Sequence, residues 1–238
     1  MKRTERAKPW WIERAGDAVS LMTSLGAFSV YLPAHVFTGR GWDAQSASLL
    51  LLPSPPARIL LLGLGGGTVA RQCRHLFPRA RIVAVEIDGE IVKLARRHFQ
   101  LGESDIDVVH DSAEAFVRRS RQSFDAILDD AWPMTVAGPR PALADPSWPS
   151  RCMRRLTPGG LLGVNAYASA ASRQAHRSLL RRLRQTFDDT REVRAPGRLT
   201  TVLVGGQGLR DGTKVRLAIR CLPAAERAHL ESLSYRTR

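Results

Sequence analysis

Between residues 58 and 130, short apolar runs alternate with segments in which apolar residues recur every three or four positions. The runs read RILLLG, RIVAVEID, DIDVVHD and FDAILDD, and the segments between them read TVARQCRHLF, GEIVKLARRHFQ and SAEAFVRRS. We predict a strand for each run and a helix for each intervening segment. Because strands that are joined through helices lie parallel, this pattern predicts an α/β fold with a doubly wound sheet that is covered on both faces.

The pattern resumes after a loop rich in Pro and Trp that extends from Ala131 to Pro149. A helix near SRCMRRL, a TPGG turn, the strand LLGVNAYA and an arginine-rich helix follow in that order. The last two predicted strands, REVRA and TTVLVGG, are joined by PGRL, which is too short for a parallel crossover. The sequence therefore predicts a mostly parallel seven-stranded sheet that ends in an antiparallel C-terminal hairpin.

The N-terminal region has a different pattern. Residues 12–37 carry short apolar pieces on either side of Gly26, which predict a strand pair, and AQSASLLLL predicts a short helix that Pro53 ends. We therefore predict three parts: a short β extension over residues 1–52, an α/β domain over residues 53–210, and a basic tail over residues 211–238.

Composition narrows the class of protein. The 238 residues are 44% hydrophobic, which is enough for a sizeable core. No apolar run approaches the roughly 20 residues that cross a bilayer, and the start MKRTERAKPWW lacks a secretory pattern, so we expect a cytoplasmic protein without a membrane partner. The three cysteines are far apart in the chain, which argues against both a disulfide framework and a metal site.

The formal charge of +14 is concentrated in the last third of the chain. Residues 151–238 hold 18 basic and 6 acidic side chains. Such an asymmetry can indicate a nucleic-acid partner. In SRQAHRSLLRRLRQTF, however, the leucines recur on one helix face and the arginines on the other, without the interleaved aromatic residues that stack on single-stranded bases. We expect a solvated basic face and rank nucleic acid low as a partner.

The first predicted strand leads into the turn GLGGGT, which contains Gly63, Gly65 and Gly67. Glycines there permit a positive φ and the close approach of a ligand, and the helix that follows presents its N-terminus. The spacing G-x-G-x-x-T departs from the dinucleotide fingerprint G-x-G-x-x-G, which argues against a dinucleotide.

Acidic residues end the next three predicted strands. Glu86 lies 23 residues after Gly63, where a carboxylate can accept hydrogen bonds from ribose hydroxyls. Asp111 ends the third strand, and Asp129 and Asp130 end the fourth. Because ligands of such sheets bind beyond the carboxyl ends of the strands, we predict a nucleoside site at this edge.

These features resemble the spermidine synthase-like branch of the class I S-adenosylmethionine-dependent methyltransferase-fold superfamily. The resemblance covers residues 58 to about 205 and is carried by GLGGGT, VEID, HDSAEAF, FDAILDD, LTPGGLLGVN and the terminal hairpin. It implies that residues 53–210 bind S-adenosylmethionine, or its decarboxylated form, as co-substrate without a metal. The implied donor-binding residues are Gly63, Gly65, Gly67, Glu86, Ile87, Asp111, Ser112 and Gln45, with Asp130 and Asp129 as catalytic residues.

The chain departs from spermidine synthases at two acidic positions. Their glycine loop carries an Asp where this chain has Gly66, and the second Asp of their D-S-S-D-P motif has no counterpart in DDAWP. An Asp in the loop would attract the ammonium tail of the decarboxylated donor, by about 4 kcal/mol at 4 Å and an effective dielectric constant near 20. We therefore predict an S-adenosylmethionine-dependent transferase that moves a methyl group to an unknown small acceptor.

Three alternatives stay open. The first is aminopropyl transfer to a diamine, as in polyamine biosynthesis, and the second is a nucleoside-binding module without catalysis. The third, modification of nucleic acid, ranks low because the [DNS]-P-P-[YFW] motif is missing after the fourth strand. A homodimer is possible. Further residues that could lie near an acceptor or act as bases are Trp132, Asp145, Trp148, Tyr167, His35 and His110.

Overall fold

A computed structural model of the chain describes residues 9–103, 106–131, 145–167, 173–197 and 200–238. Its strands are β1 (Trp10–Ala15), β2 (Ala18–Thr23), β3 (Gly26–Tyr31), β4 (Arg58–Leu62), β5 (Arg81–Glu86), β6 (Ile106–His110), β7 (Phe124–Asp129), β8 (Leu156–Tyr167), β9 (Asp189–Arg194), β10 (Thr200–Gly206) and β11 (Ser234–Thr237). Its helices are α1 (Gly41–Ser48), α2 (Thr68–Leu76), α3 (Gly89–His98), α4 (Ala113–Arg119), α5 (Trp148–Met153), α6 (Arg173–Thr186), α7 (Gly212–Arg220) and α8 (Ala224–Glu231). Short 3-10 turns follow α1 and α3, at Leu49–Leu51 and Leu101–Glu103.

The central sheet has eight strands in the order β11-β9-β10-β8-β7-β4-β5-β6. The pairs among β6, β5, β4, β7 and β8 are parallel, whereas β10 pairs antiparallel with both β8 and β9. The predicted doubly wound, mostly parallel sheet with an antiparallel C-terminal hairpin is therefore confirmed. The predicted count of seven strands missed β11, a short polar strand that pairs antiparallel with β9 at the sheet edge.

Helices cover both faces of this sheet, and the strand sequences alternate accordingly. In β4, Ile59 and Leu61 pack in one buried cluster, and Leu60 and Leu62 pack in the other. The first cluster is completed by residues of α1, α2, α7 and α8, and the second by residues of α4, α5 and α6. Burial on both sides explains why the strand reads as a continuous apolar run.

The last residues of the chain do not form the predicted basic tail. Asp211 caps α7 by accepting a hydrogen bond from the Lys214 backbone N–H at 2.9 Å. Val215, Ile219 and Leu230 are fully buried in the core, so α7 and α8 belong to the helical layer. A net basic charge does not distinguish an exposed tail from helices that bury one apolar face.

The N-terminal residues form a separate three-stranded antiparallel sheet in the order β1-β2-β3, instead of the predicted strand pair. The Thr68 hydroxyl donates to the Val30 carbonyl at 2.8 Å and accepts from the Val30 N–H at 2.9 Å. Arg71 also donates to the Val30 carbonyl, at 3.1 Å. The small sheet is thus bonded directly to the start of α2. No helix among the described residues is long and apolar enough to cross a membrane.

Candidate functional site

A cavity of about 740 Å³ lies at the carboxyl edge of the parallel strands, between the central sheet and the N-terminal sheet. This volume is in the range of small-molecule sites. Its lining residues come from β3, α1, the turn after β4, and the ends of β5, β6, β7, β8 and β10. The structure thus brings three of the predicted strand-end residues, Glu86, Asp111 and Asp130, to one place.

The turn after β4 adopts the conformation that its glycines permit. Gly63, Gly65 and Gly67 have φ values of +88°, +53° and +82°. Gly63 and Gly65 line the cavity, whereas Gly67 lies behind it, where a Cβ atom would come within 2.6 Å of Leu101. Two of the three glycines, Gly63 and Gly65, are therefore placed where they could contact a ligand, as predicted.

The backbone N–H groups of this turn already have protein acceptors. Those of Leu64 and Gly65 donate to Glu86, that of Gly66 donates to the Ser29 hydroxyl, and that of Gly67 donates to the Leu64 carbonyl. A dinucleotide-binding turn instead offers N–H groups to a diphosphate. The turn therefore provides space and backbone surface for a ligand, and its N–H groups are engaged within the protein.

Gly66 has no room for a side chain. A Cβ atom there would lie 2.7 Å from the Phe99 ring and 2.9 Å from the Ser29 Cβ atom. The N-terminal sheet, which carries Ser29, fills the space into which an acid at position 66 would extend. Packing therefore explains the glycine at this position. The absence of an acid there is no evidence against a donor with a cationic tail.

Glu86 connects the turn to the end of β5. Its Oε2 atom accepts from the Leu64 and Gly65 N–H groups, each at 3.1 Å, and its Oε1 atom accepts from the Asp88 N–H at 3.0 Å. The side chain also lines the cavity. A carboxylate has about four lone-pair sites, so these three bonds leave capacity for about one further bond, such as one from a ribose hydroxyl. Glu86 therefore both shapes the turn and lines the cavity.

Of the predicted donor-binding residues that follow β5 and β6, Ile87 and Asp111 line the cavity and Ser112 does not. Asp111 lines the cavity, and its Oδ2 atom pairs with Arg119 at 2.8 Å. The Ser112 hydroxyl instead caps α4 by accepting from the Ala115 N–H at 3.1 Å, and Ser112 is not a lining residue. Ile87 lines the cavity with 69% of its surface exposed, an unusual position for a large apolar side chain. An aromatic ring in the cavity would cover it.

Asp130, at the end of β7, is held by two side-chain amides. Its Oδ2 atom accepts from Gln45 Nε2 at 2.9 Å, and its Oδ1 atom accepts from Asn165 Nδ2 at 2.6 Å. Asp130 and Asn165 line the cavity, whereas Gln45 is buried behind them. Gln45 was predicted as a donor-binding residue, but its contact places it as an orienting partner of Asp130.

Asp129 is buried in the core and does not line the cavity. It is 1% exposed, and its Oδ2 atom accepts from the Trp148 indole N–H at 2.7 Å. Its Oδ1 atom accepts from the Ala131 N–H at 3.2 Å. Because neighbouring strand residues face opposite sides, only one of the two adjacent aspartates can face the cavity. Asp129, which was predicted as a catalytic residue, therefore lies outside the lining of the cavity, and Trp148 belongs to the core.

Sequence reasoning missed several lining residues at the start of α1 and on the neighbouring strands. These are Arg40, Trp42, Asn165, Thr200, Phe28 and Ser29. Asn165 interrupts the apolar run LLGVNAYA, and a polar residue near the end of a buried strand is a usable signal. Arg40 and Trp42 precede the sheet by many residues, and no local pattern relates them to it.

The remaining candidates lie elsewhere. His35 is exposed at an isolated bridge to Leu32, and the exposed His110 ring lies 3.1 Å from the Ile87 carbonyl oxygen. Asp145 accepts from Ser147 and pairs with Arg151. Trp132 and the Tyr167 side chain lie outside the described residues. Within the described part of the chain, no group of three or more His, Cys, Asp or Glu side chains could hold a metal ion.

Comparison with known proteins supports the resemblance that the sequence motifs carry. Residues 59–160 match the family described as "Methyltransferase domain". A probable polyamine aminopropyl transferase of Bifidobacterium longum is 30% identical over 65% of this chain and 34% of its own length. A polyamine aminopropyltransferase of Chromobacterium violaceum is 32% identical over 58% of this chain and 52% of its own length. The chain thus spans about a third to a half of these relatives.

Among solved structures, a probable spermidine synthase from Corynebacterium glutamicum superimposes with a TM-score of 0.75. It is 19% identical, and the match covers 96% of this chain and 87% of that chain. The chain therefore has the fold of this spermidine synthase structure, and its similarity to the methyltransferase domain family and to the aminopropyltransferases agrees with the resemblance that its motifs carry.

The preference for methyl over aminopropyl transfer is contradicted. Several relatives, including the two described above, are named polyamine aminopropyltransferases. The preference depended on two missing acids, and the packing of Phe99 and Ser29 around Gly66 removes the physical basis of the first of these two arguments.

Proposed function

We propose that this chain binds decarboxylated S-adenosylmethionine and transfers its aminopropyl group to the amine of a small acceptor. The observation that carries the proposal is the arrangement around Asp130: a carboxylate held by Gln45 and Asn165 that lines the cavity together with the glycine turn and the start of α1. The names of the aminopropyltransferase relatives support the choice of transferred group.

The donor half of the cavity suits a nucleoside with a cationic tail. Glu86 and Asp111 are available to ribose and adenine, and Ile87 offers an apolar surface to the base. The engaged N–H groups of the turn disfavour a ligand whose tail ends in a phosphate or carboxylate, since such a group would lack donors there. The decarboxylated donor carries no carboxylate.

The proposed step is an in-line displacement at the propyl carbon next to the sulfonium. The neutral acceptor nitrogen forms a bond to this carbon, and the carbon–sulfur bond breaks with its electron pair going to sulfur. The products are methylthioadenosine and an aminopropylated ammonium, which then loses one proton. Asp130 would orient the acceptor amine and accept a proton from it, and much of the rate would come from positioning.

The test is turnover of the purified chain with each donor. With the decarboxylated donor and a panel of primary amines, we expect methylthioadenosine and the aminopropylated amine in equal amounts by mass spectrometry. With S-adenosylmethionine in its place, we expect neither product. Formation of S-adenosylhomocysteine with S-adenosylmethionine, and no methylthioadenosine with the decarboxylated donor, would refute the proposal.

A further inference from the structure

The order of the strands divides the cavity into a donor half and an acceptor half. Along the carboxyl edge the lining residues run from Asp111 at β6, through Glu86 at β5 and Gly63 at β4, to Asp130 at β7. The adenosine-binding acids thus lie on the β6 side of Asp130. The acceptor half lies on the other side and is formed by Arg40, Trp42, Asn165 and Thr200.

Acids and bases are distributed unequally between these halves. The described acidic residues that line the cavity are Glu86, Asp111, Glu114 and Asp130. The first three lie in the donor half, because Glu114 belongs to the first turn of α4, which follows β6. The acceptor half therefore has one lining carboxylate, at Asp130, together with the guanidinium of Arg40.

Local packing holds Arg40 at this position. It is the residue before α1, and its backbone N–H donates to the Thr38 hydroxyl at 3.2 Å. The next residue, Gly41, lies so close to Thr200 that a Cβ atom would come within 2.5 Å of that side chain. The guanidinium lies 6.0 Å from the centre of the Trp42 ring. The backbone at the start of α1 is therefore packed against β10, and Arg40, whose side chain is exposed, is one of the residues that line the acceptor half.

Among the described residues, no carboxylate other than that of Asp130 lines this half. Asp43, in the first turn of α1, accepts hydrogen bonds from Thr38, Gly39 and Gln72 and does not line the cavity. Asp145 and Asp129 also have other partners, Arg151 and Trp148. A diamine needs carboxylates for two ammonium groups, and a cation facing the second of them would repel it.

We infer that the acceptor is an amine that also carries an anionic group, such as an ω-amino carboxylate, with its nitrogen at Asp130 and its anion at Arg40. This inference rests on the proposed aminopropyl transfer and specifies its substrate class. Arginine is suited to the role because its planar guanidinium binds a carboxylate through two N–H groups. The acceptor half thus selects a zwitterion by pairing each of its ends with the opposite charge.

The experiment compares matched acceptors with the decarboxylated donor. Putrescine and 4-aminobutyrate have four carbons each and differ in the group at the far end, and cadaverine and 5-aminopentanoate form a longer pair. We expect kcat/KM, measured by methylthioadenosine release, to be at least about tenfold higher for each amino carboxylate. Arg40→Gln should remove this difference by raising the acceptor KM, with the donor KM unchanged. Arg40→Glu should reverse the preference.

Arg79→Gln serves as the matched control, since Arg79 is exposed in the turn before β5, at the opposite edge of the sheet. A preference for the diamines in the unmodified chain, or an Arg40→Gln effect on the donor KM alone, would overturn the inference and leave the proposed transfer intact. Absence of methylthioadenosine with every acceptor would refute the transfer itself. In that case, calorimetric titration of 4-aminobutyrate and putrescine in the presence of methylthioadenosine still decides between the acceptor classes: tighter binding of 4-aminobutyrate supports the zwitterion, and tighter binding of putrescine refutes it.

Discussion

The donor half and the acceptor half of the cavity are built in different ways. In the donor half, most lining groups follow one another within three consecutive strand–turn–helix units, and the backbone sets their geometry through the glycine turn and Glu86. In the acceptor half, Arg40, Asp130, Asn165 and Thr200 come from four distant parts of the chain. A local motif can specify the first kind of site, whereas the second depends on how the whole fold is packed.

The strongest test of this division is Asp130→Asn, which should affect turnover and spare donor binding. Loss of the proposed proton acceptor should lower kcat by about 10²- to 10⁴-fold. Calorimetry with methylthioadenosine should give an unchanged affinity, since the donor half keeps its residues. A kcat that stays within twofold of the unmodified chain would remove Asp130 from the mechanism.

Asp129→Asn is the matched control for that variant. It should destabilise the fold by roughly 1.5–3 kcal/mol in chemical denaturation, because the buried carboxylate accepts from both Trp148 and Ala131. Its kcat should fall far less than that of Asp130→Asn at a temperature where both variants are folded. Equal losses of kcat would mean that the two aspartates act as one unit.

The next largest effect is expected from Gly66→Asp, which restores the acid that spermidine synthases carry in their glycine loop. The new side chain meets Phe99 and Ser29, so we expect a loss of about 1–3 kcal/mol of folding free energy. Gly102→Asp is the control, because a Cβ atom at Gly102 has nothing within 4 Å. If Gly66→Asp is as stable as Gly102→Asp and binds the donor more tightly, the packing explanation of this glycine fails.

A smaller effect is expected in the donor half from Ile87→Ala. The exposed side chain should contact the adenine ring, and its loss should raise the donor KM about three- to tenfold, which corresponds to roughly 1 kcal/mol. The acceptor KM and the melting temperature should not change. Leu217→Ala, which removes another exposed apolar side chain, on α7, should leave the donor KM unaltered. A rise in the acceptor KM would place the boundary between the halves elsewhere.

The smallest effect concerns acid stability and should be independent of both halves. Partial burial acts to raise the pKa of Asp125, but hydrogen bonds from the Thr157 hydroxyl and the Arg58 and Ala57 N–H groups outweigh it and hold the pKa below its usual value. A lowered pKa stabilises the fold above the unfolded-state value near 4, and this contribution is lost as the pH falls through the lower, folded-state value. The stability difference between the unmodified chain and Asp125→Asn should therefore shrink between pH 5 and pH 3, and a constant difference would contradict the assignment.

The same division explains what could be predicted from the sequence. Periodicity gave the order of strands and helices from β4 to β10, and the strand-end rule gave Glu86, Asp111 and Asp130. The strand-end rule could not distinguish Asp129 from Asp130, because both follow the same apolar run. Side-chain alternation assigns them to opposite sides, but which of the two faces the cavity is known only from the register. Arg40 lay outside any local pattern, since only the contact of α1 with β10 brings it to the cavity.

The two hydrogen bonds between Thr68 and Val30 make the small N-terminal sheet part of the donor site, because Ser29, on the same strand as Val30, both lines the cavity and holds the Gly66 N–H. If this sheet moved away from α2, the cavity would lose Ser29 and the hydrogen bond that holds the Gly66 N–H. The free energy of this opening therefore also includes the cost of disrupting the proposed donor site. A ligand that binds only the closed form should then raise the free energy of opening, and this increase grows with the ligand concentration. Amide hydrogen exchange at Val30 should accordingly slow when methylthioadenosine is added, while exchange in β11, on the far edge of the central sheet, should not respond.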